Sequence, residues 1–316
     1  MAISYDAAMR LAVEHAELVK GNTYPNPPVG AVILDREGRV AGAGGTEPAA
    51  ARTPRSWRCA ALGVWLRAGR GRDAGAVQPL RQDPPCVDAL LDAGIATVVY
   101  AVADPNPVAA GGAARLAAAG VHVVPGVQAD LVAAGPLREW LHKQRTGLPH
   151  VTWKYATSID GRSAAADGSS QWITSEAARA DLHRRRAAAD AIVVGTGTVL
   201  TDDPALTARL ADGTLAERQP LRVVVGKREI PSEAQVLNDD SRTMVIRTHD
   251  PHEVLKALSD RTDVLLEGGP TLAGAFLRAG PSTASWPMSR RSSWGADHRG
   301  RRRRGAEHRP GPALAV

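Results

Sequence analysis

Apolar side chains recur at helical spacing in "SYDAAMRLAVEHAELV". The chain is therefore expected to open with a helix, with Ser4 and Asp6 as cap candidates. "VGAVILD" and "RVAGAGG" read as short strands around a turn at Glu37-Gly38. "CVDALLDAG" predicts a short helix stopped by Gly94. "ATVVYAVA" predicts a buried strand that runs into the turn Asp104-Pro105-Asn106-Pro107. "AARLAAAG" reads as a helix ending at Gly120, and "VHVVPGV" as a strand. "LREWLHKQRTGLPH" predicts a helix and then a linker near Gly147–His150. This alternation implies an α/β layer domain over residues 1–146 with a largely buried sheet.

The pattern restarts at "VTWKYATSIDGR", where a second α/β domain is expected over residues 147–280. "SEAARADLHRRRAAA" is a helical stretch, and "AIVVGTGTVL", "LRVVVG", "TMVIRT" and "DVLLEGG" read as strands. "HEVLKALSD" predicts a helix after Pro251, and "TLAGAFLRAG" one after Gly268-Gly269-Pro270. Residues 281–316, with "RGRRRRG", show no pattern and read as a disordered basic tail. Residues 52–83 break the first domain with seven Arg, two Trp and almost no periodicity.

Charge sharpens the anomaly. The net charge of +6 invites a nucleic-acid reading. However, Pro281–Val316 has eight Arg against Asp297 and Glu307 (+6), and Arg52–Asp83 has seven Arg against Asp73 and Asp83 (+5). The remainder is +6 − 6 − 5 = −5, so the basicity belongs to two patches that lie on no periodic face. A basic binding protein using its Arg-rich tail is the competing reading from another class, and it would show strongly salt-dependent binding. The placement of the arginines implies no nucleic-acid partner. No start resembles a signal peptide, and no apolar run reaches the roughly 18–20 residues of a membrane span. A soluble, cytoplasmic protein with no membrane partner is expected. Cys59 and Cys86 are too few for a disulfide scaffold.

"YPNPPVGAVI", "DPPCVDALLDAG", "VADPNP", "RTGLPHVTWKYATSIDGR", "GSSQWITS", "VGTGTVLTDDPALTAR" and "EGGPTLAGAFLRAG", in this order, resemble the bifunctional riboflavin-biosynthesis deaminase/reductase family. The resemblance covers about residues 1–51 and 84–280. It implies a cytidine-deaminase-like three-layer zinc domain followed by a dihydrofolate-reductase-like NADPH domain. The implied chemistry is deamination of a diamino-pyrimidinone ribosyl phosphate, then NADPH-dependent reduction of the ribosyl side chain to ribityl. The implied partner is a small phosphorylated pyrimidine, and a homo-oligomer is the implied assembly. A reductase-only enzyme whose first domain serves as a scaffold is the alternative.

The family's deaminase half needs a His-Ala-Glu stretch and a Glu-Pro-Cys stretch ahead of Pro-Pro-Cys, so that a His and two Cys hold zinc and the Glu moves protons. Neither stretch is present, and Arg52–Asp83 occupies their place. If Arg52–Arg58 is encoded CGC ACG CCG AGG TCG TGG CGC, reading from the third base gives His-Ala-Glu-Val-Val-Ala. Suitable codons for Asp73–Asp83, read from the second base, give Leu-Glu-Pro-Cys. "PSTASWPMSRRSSW" similarly gives a turn and an apolar strand. The expectation is a frame disruption over about 52–83 and after 280. As written, the chain offers Cys86 alone as a metal ligand and is expected to lack deaminase activity. Without the resemblance, Cys86 reads as a small buried cysteine.

The resemblance assigns the remaining residues as follows. Asn26, Ser170, Arg186, Leu206, Arg209 and Glu267 match substrate positions, with the phosphate falling to Arg186 and Arg209. Ala156, Trp172, Thr198, Asp202, Lys227, Gly269, Pro270 and Thr271 match cofactor positions. Glu267 and Asp202 are the catalytic candidates, Glu267 as a substrate-side acid and Asp202 as a proton-transfer group. Read without the family, Asn26 is turn chemistry, Arg186 a solvated helix charge, Trp172 a core aromatic and Asp202 a loop-capping carboxylate. Free N–H groups at the start of the last helix suit a dinucleotide phosphate. His15, His122, His142, His150, His183, His249 and His252 show no metal spacing and read as structural or surface residues.

Overall fold

Ser4 starts the first helix, α1 (Tyr5–Val19), by accepting the Ala7 N–H on its side chain at 3.2 Å. In the computed structural model, residues 2–46, 63–67 (backbone only), 86–105, 111–156 and 175–279 are described. They fall in two compact units, Met1–Gly147 and Leu148–Val316. Trp172 and Ser170 lie outside the described residues, as do most of Arg52–Asp83, the second half of the Asp104–Pro107 turn and the basic tail.

The first unit continues with β1 (Gly30–Leu34), β2 (Val40–Gly45), β3 (Gly63–Arg67), α2 (Cys86–Asp92) and β4 (Ile95–Tyr100). α3 (Gly112–Ala118), β5 (His122–Pro125), α4 (Ala129–Ala134) and α5 (Arg138–Thr146) complete it. The sheet order is β2-β1-β3-β4-β5. β1 is antiparallel to β2 and parallel to β3, β3 is antiparallel to β4, and β4 is parallel to β5. Two features were not legible in the sequence. α4 is one. The other is β3, which forms the middle strand inside the stretch that carries no periodic pattern.

α1 lays Ala8, Met9, Ala12 and Ala16 against a core that includes Val32 and Leu34 of β1. The approach is so close that a Cβ on Gly30 would stand 1.8 Å from the Ala12 carbonyl oxygen. Only a residue without a side chain permits this spacing. Gly30→Ala is therefore expected to destabilise the first unit by roughly 1–3 kcal/mol, because the helix must lift from the sheet. An unchanged urea midpoint would show that α1 yields freely.

The second unit contains β6 (His150–Trp153), α6 (Glu176–Ala188), β7 (Ala191–Gly195), α7 (Thr196–Asp202) and β8 (Leu221–Val225). β9 (Thr243–Ile246), α8 (Pro251–Ala257), β10 (Asp263–Leu266) and α9 (Pro270–Arg278) follow, with a short 3-10 turn at Gln235–Leu237. All five strands run parallel, in the order β6-β10-β7-β8-β9. β7 and β8 are nearly continuous apolar runs because both faces of a parallel sheet are covered. The linker expected near Gly147–His150 stops short, since His150 already pairs with Asp263. The single strand expected from "AIVVGTGTVL" divides instead. Strand pairing ends at Gly195, and Thr196–Asp202 turns into helix.

Candidate active site

β6 and β10 are adjacent and in register, with Trp153 opposite Leu266. The next residue of each strand, Lys154 and Glu267, therefore emerges at the same carboxyl edge of the sheet. Lys154 Nζ lies 3.7 Å from Glu267 Oε2. In open parallel sheets this edge is where ligands bind, because loops diverge there and backbone groups are left over.

Arg186 reaches the same carboxylate from the last turn of α6. Its Nε donates to Glu267 Oε1 at 2.7 Å and its Nη2 to Oε2 at 3.0 Å, a bidentate pair. Its Nη1 donates to the Thr207 carbonyl at 3.0 Å. The Arg186 and Glu267 side chains are 13% and 4% exposed, so water screens the pair weakly. Burial alone would raise the Glu267 carboxyl. The Arg186 charge and hydrogen bonds, followed by Lys154 and His183, hold it below its ordinary value. Burial pulls Arg186 down and Glu267 more than restores it, so the guanidinium stays charged.

The loop that carries Thr207 leaves α7 through Asp203, which has φ 38°. Asp203 Oδ1 accepts the Gln235 N–H at 2.8 Å, so the loop-capping carboxylate is Asp203. Asp202 is exposed beside it on α7 and does not have that duty. Leu206 is buried and also has a positive φ, 53°. Gln219 holds Ala208 on both sides: its Oε1 accepts the Ala208 N–H and its Nε2 donates to the Ala208 carbonyl, both at 2.8 Å. The Arg209 N–H donates to His183 Nδ1 at 3.2 Å, and Arg209 Nη1 to the Gly213 carbonyl at 3.0 Å.

Gly268 and Gly269 lead from Glu267 into α9. A Cβ on Gly268 would meet Leu272 at 2.7 Å, so the turn is packed directly on the helix. Gly269 is the N-cap and supplies no side-chain cap, while Pro270 takes the first helical position. Gly269, Pro270 and Thr271 are exposed. The first turn of α9 thus presents backbone N–H groups to solvent next to Glu267.

Arg186, Leu206, Arg209 and Glu267 are consequently gathered around one carboxyl edge. Thr198 (half-buried) and Asp202 stand on α7 and not on a strand end as expected, because the chain turns helical at Thr196. Lys227 is exposed in the turn after β8, and Ala156 is half-buried beyond β6. In the first unit, Asn26 sits in a turn in which its N–H donates to the Thr23 carbonyl at 2.8 Å. Cys86 begins α2, and its side chain lies outside the described residues. Sequence reasoning missed Lys154, Thr207, Gln219 and His183. His183 did leave a signal, since it precedes Arg186 by three positions on one helix face.

Residues 149–281 match the family model described as the RibD C-terminal domain. The chain is 71% identical over 285 residues to "Riboflavin biosynthesis protein RibD" of Mycobacterium tuberculosis (strain CDC 1551 / Oshkosh), covering 88% of this chain and 82% of that one. The chain belongs to the RibD family. The RibD of Escherichia coli (strain K12) is 36% identical over 314 residues, covering 86% of this chain and 83% of that one. A solved Thermotoga maritima structure, described as a diaminohydroxyphosphoribosylaminopyrimidine deaminase/5-amino-6-(5-phosphoribosylamino)uracil reductase, superimposes with a TM-score of 0.70 at 29% identity. It covers 87% of this chain and 84% of that one. Acinetobacter baumannii RibD (form 1) gives 0.67 at 31% identity, with 87% and 83% covered. The two units are therefore the cytidine-deaminase-like and dihydrofolate-reductase-like α/β folds of RibD.

Proposed function

We propose that the C-terminal unit is the reductase of riboflavin biosynthesis, acting on a phosphoribosylamino-pyrimidine with NADPH, and that the N-terminal unit as written does not deaminate. The observation that carries the reductase reading is the buried carboxylate of Glu267. It is gripped by Arg186 and faced by Lys154, beside the uncapped first turn of α9. NADPH, when bound, supplies the hydride. The exposed N–H groups of α9 after Gly269 suit its diphosphate. Thr198 and Asp202 on α7, Lys227 after β8 and Ala156 beyond β6 are the remaining cofactor contacts of this reading, and the motif "GSSQWITS" adds Trp172 to the cofactor and Ser170 to the substrate. Glu267 is the acceptor for sugar hydroxyls: ionised at neutral pH, each of its oxygens keeps a second lone pair beside the one that Arg186 occupies. Arg209 is the arm for the substrate phosphate. Arg186 shares its charge with Glu267 and orients it. Asp202, exposed on α7, is the group this reading assigns to the proton transfer that accompanies the reduction.

Catalytic zinc does not fit the chain as written, because Cys86 alone matches the three protein ligands such a site needs. Asn26 retains its substrate-turn position without a metal beside which to act. The domain limits 1–146 and 147–280, the cytoplasmic location and a homo-oligomeric state belong to the same reading. Among the described residues, no helix is long and apolar enough to cross a membrane.

Two measurements test this reading. Saturable NADPH binding and substrate-dependent NADPH oxidation are expected of the purified chain, and absence of both refutes the reductase. Elemental analysis should find no stoichiometric zinc. A gene restored to His-Ala-Glu and Glu-Pro-Cys within the codons for residues 52–83 should hold one zinc per chain and regain deamination. Stoichiometric zinc in the chain as written would overturn the deaminase part.

A further inference from the structure

We propose that His183 is a positioning residue of the reductase site: its Nδ1 holds the Arg209 N–H and so fixes the Leu206–Arg209 loop against α6. This inference rests on the reductase reading, because it gives the loop its purpose.

The loop needs fixing. Leu206 has φ +53°, a left-handed conformation that a side chain disfavours and that persists only where the surroundings determine it. Long side chains supply that determination. α6 presents His183 and Arg186 three residues apart, on one face, and they take the loop at two points. His183 Nδ1 takes the Arg209 N–H at 3.2 Å, and Arg186 Nη1 takes the Thr207 carbonyl at 3.0 Å. Gln219 takes Ala208 between them. Three of the four loop residues, Leu206, Thr207 and Ala208, are buried as a result. Arg209, which carries the phosphate-binding guanidinium, is the exit of this clamped segment. An error in its backbone would be magnified at the end of its side chain.

An imidazole accepts at Nδ1 only when neutral, with its proton on Nε2. Burial, then the Arg186 charge, hold His183 below the ordinary histidine value. The groups facing it are Arg186 from α6, Arg209 and the Thr207 carbonyl from the loop, and Glu267 from the end of β10. The Thr207 carbonyl and Glu267 favour the charged ring and are outweighed. Protonation would set an Nδ1–H against the Arg209 N–H and add a further cation beside Arg186 and Arg209. The clamp therefore opens as pH falls through the lowered value for His183.

The test uses the full chain and three variants, His183→Asn, His183→Gln and His183→Ala. Asn places its Oδ1 near the position of Nδ1, and Gln places its oxygen near that of Nε2. Hydrogen exchange at the Arg209 amide and the Kd for ribose 5-phosphate are followed from about pH 7.5 downward through the histidine range. Ala and Gln are expected to speed exchange about tenfold and to raise Kd by about three- to tenfold, the loss of one net hydrogen bond. Asn should restore both readouts and remove the histidine limb of the pH profile. Unchanged exchange in the Ala and Gln variants overturns the inference, as does an Asn variant indistinguishable from Gln. Failure of the unmodified chain to bind ribose 5-phosphate, with the exchange contrast intact, sinks the reductase reading instead. Should the Ala variant not fold, the Asn–Gln contrast decides alone.

Discussion

Glu267→Gln is expected to destabilise the second unit by about 3–5 kcal/mol, the usual effect of removing one partner from a buried ion pair. Arg186 would keep its charge at 13% exposure with no carboxylate to meet it. The glutamine amide would make matters worse. Arg186 donates from both Nε and Nη2 to the two carboxylate oxygens, and an amide turns one of those acceptors into a donor. A double variant, Arg186→Leu with Glu267→Leu, should recover much of the stability, because an apolar pair needs no desolvation of charge. Reductase activity should be lost in both. Denaturant unfolding followed by circular dichroism distinguishes the outcomes. A Gln variant within about 1 kcal/mol of the parent would show the pair to be solvent-screened.

The same pair sets an acid limb. The Glu267 carboxyl lies below its ordinary value in the folded chain, so its contribution is fully present above the unfolded value. It is lost as pH falls through the folded value. The Gln variant should lack this limb.

Arg222→Leu is expected to destabilise the second unit by about 3 kcal/mol, even though it replaces a buried charge with an apolar side chain. Arg222 lies in β8 and is 0% exposed. Its Nη1 donates to the Ala205 carbonyl at 3.2 Å and to Asn238 Oδ1 at 2.7 Å. Its Nη2 donates to the carbonyls of Asn238 and Ser241. Leucine would take the donor from the half-buried Ala205 and Ser241 carbonyls and from the Asn238 carbonyl, while Asn238 Oδ1 keeps the Asp240 N–H at 3.1 Å, and a carbonyl that water reaches poorly is expensive to leave unpaired. Arg222→Lys should recover only part of the loss, since one ammonium has three donors and cannot span the fork. The effect reaches the site because Ala205 immediately precedes the strained Leu206. A Leu variant as stable as the parent would show that water enters to satisfy the carbonyls.

Elements that depend only on neighbours along the chain are legible in the amino-acid order. α1 and its Ser4 cap, the apolar strands β4, β7, β8 and β10, and the helix after Gly268-Gly269-Pro270 all follow from period and punctuation. Resemblance across seven ordered motifs pointed to the family, and Arg186, Arg209 and Glu267 were named from it. Features that depend on partners far along the chain emerge only once it is folded. β3 arises in a stretch without alternation, because pairing with β1 and β4 is a long-range property. Arg186 reads as a solvated charge in "HRRR" until Glu267, 81 positions away, takes its guanidinium. His183 reads as one histidine among many until the loop after α7 folds back and sets the Arg209 N–H on its ring. Local periodicity reports which face of an element is buried. The choice of partner comes from packing, where a buried charge or an orphaned N–H stays only if another part of the chain satisfies it.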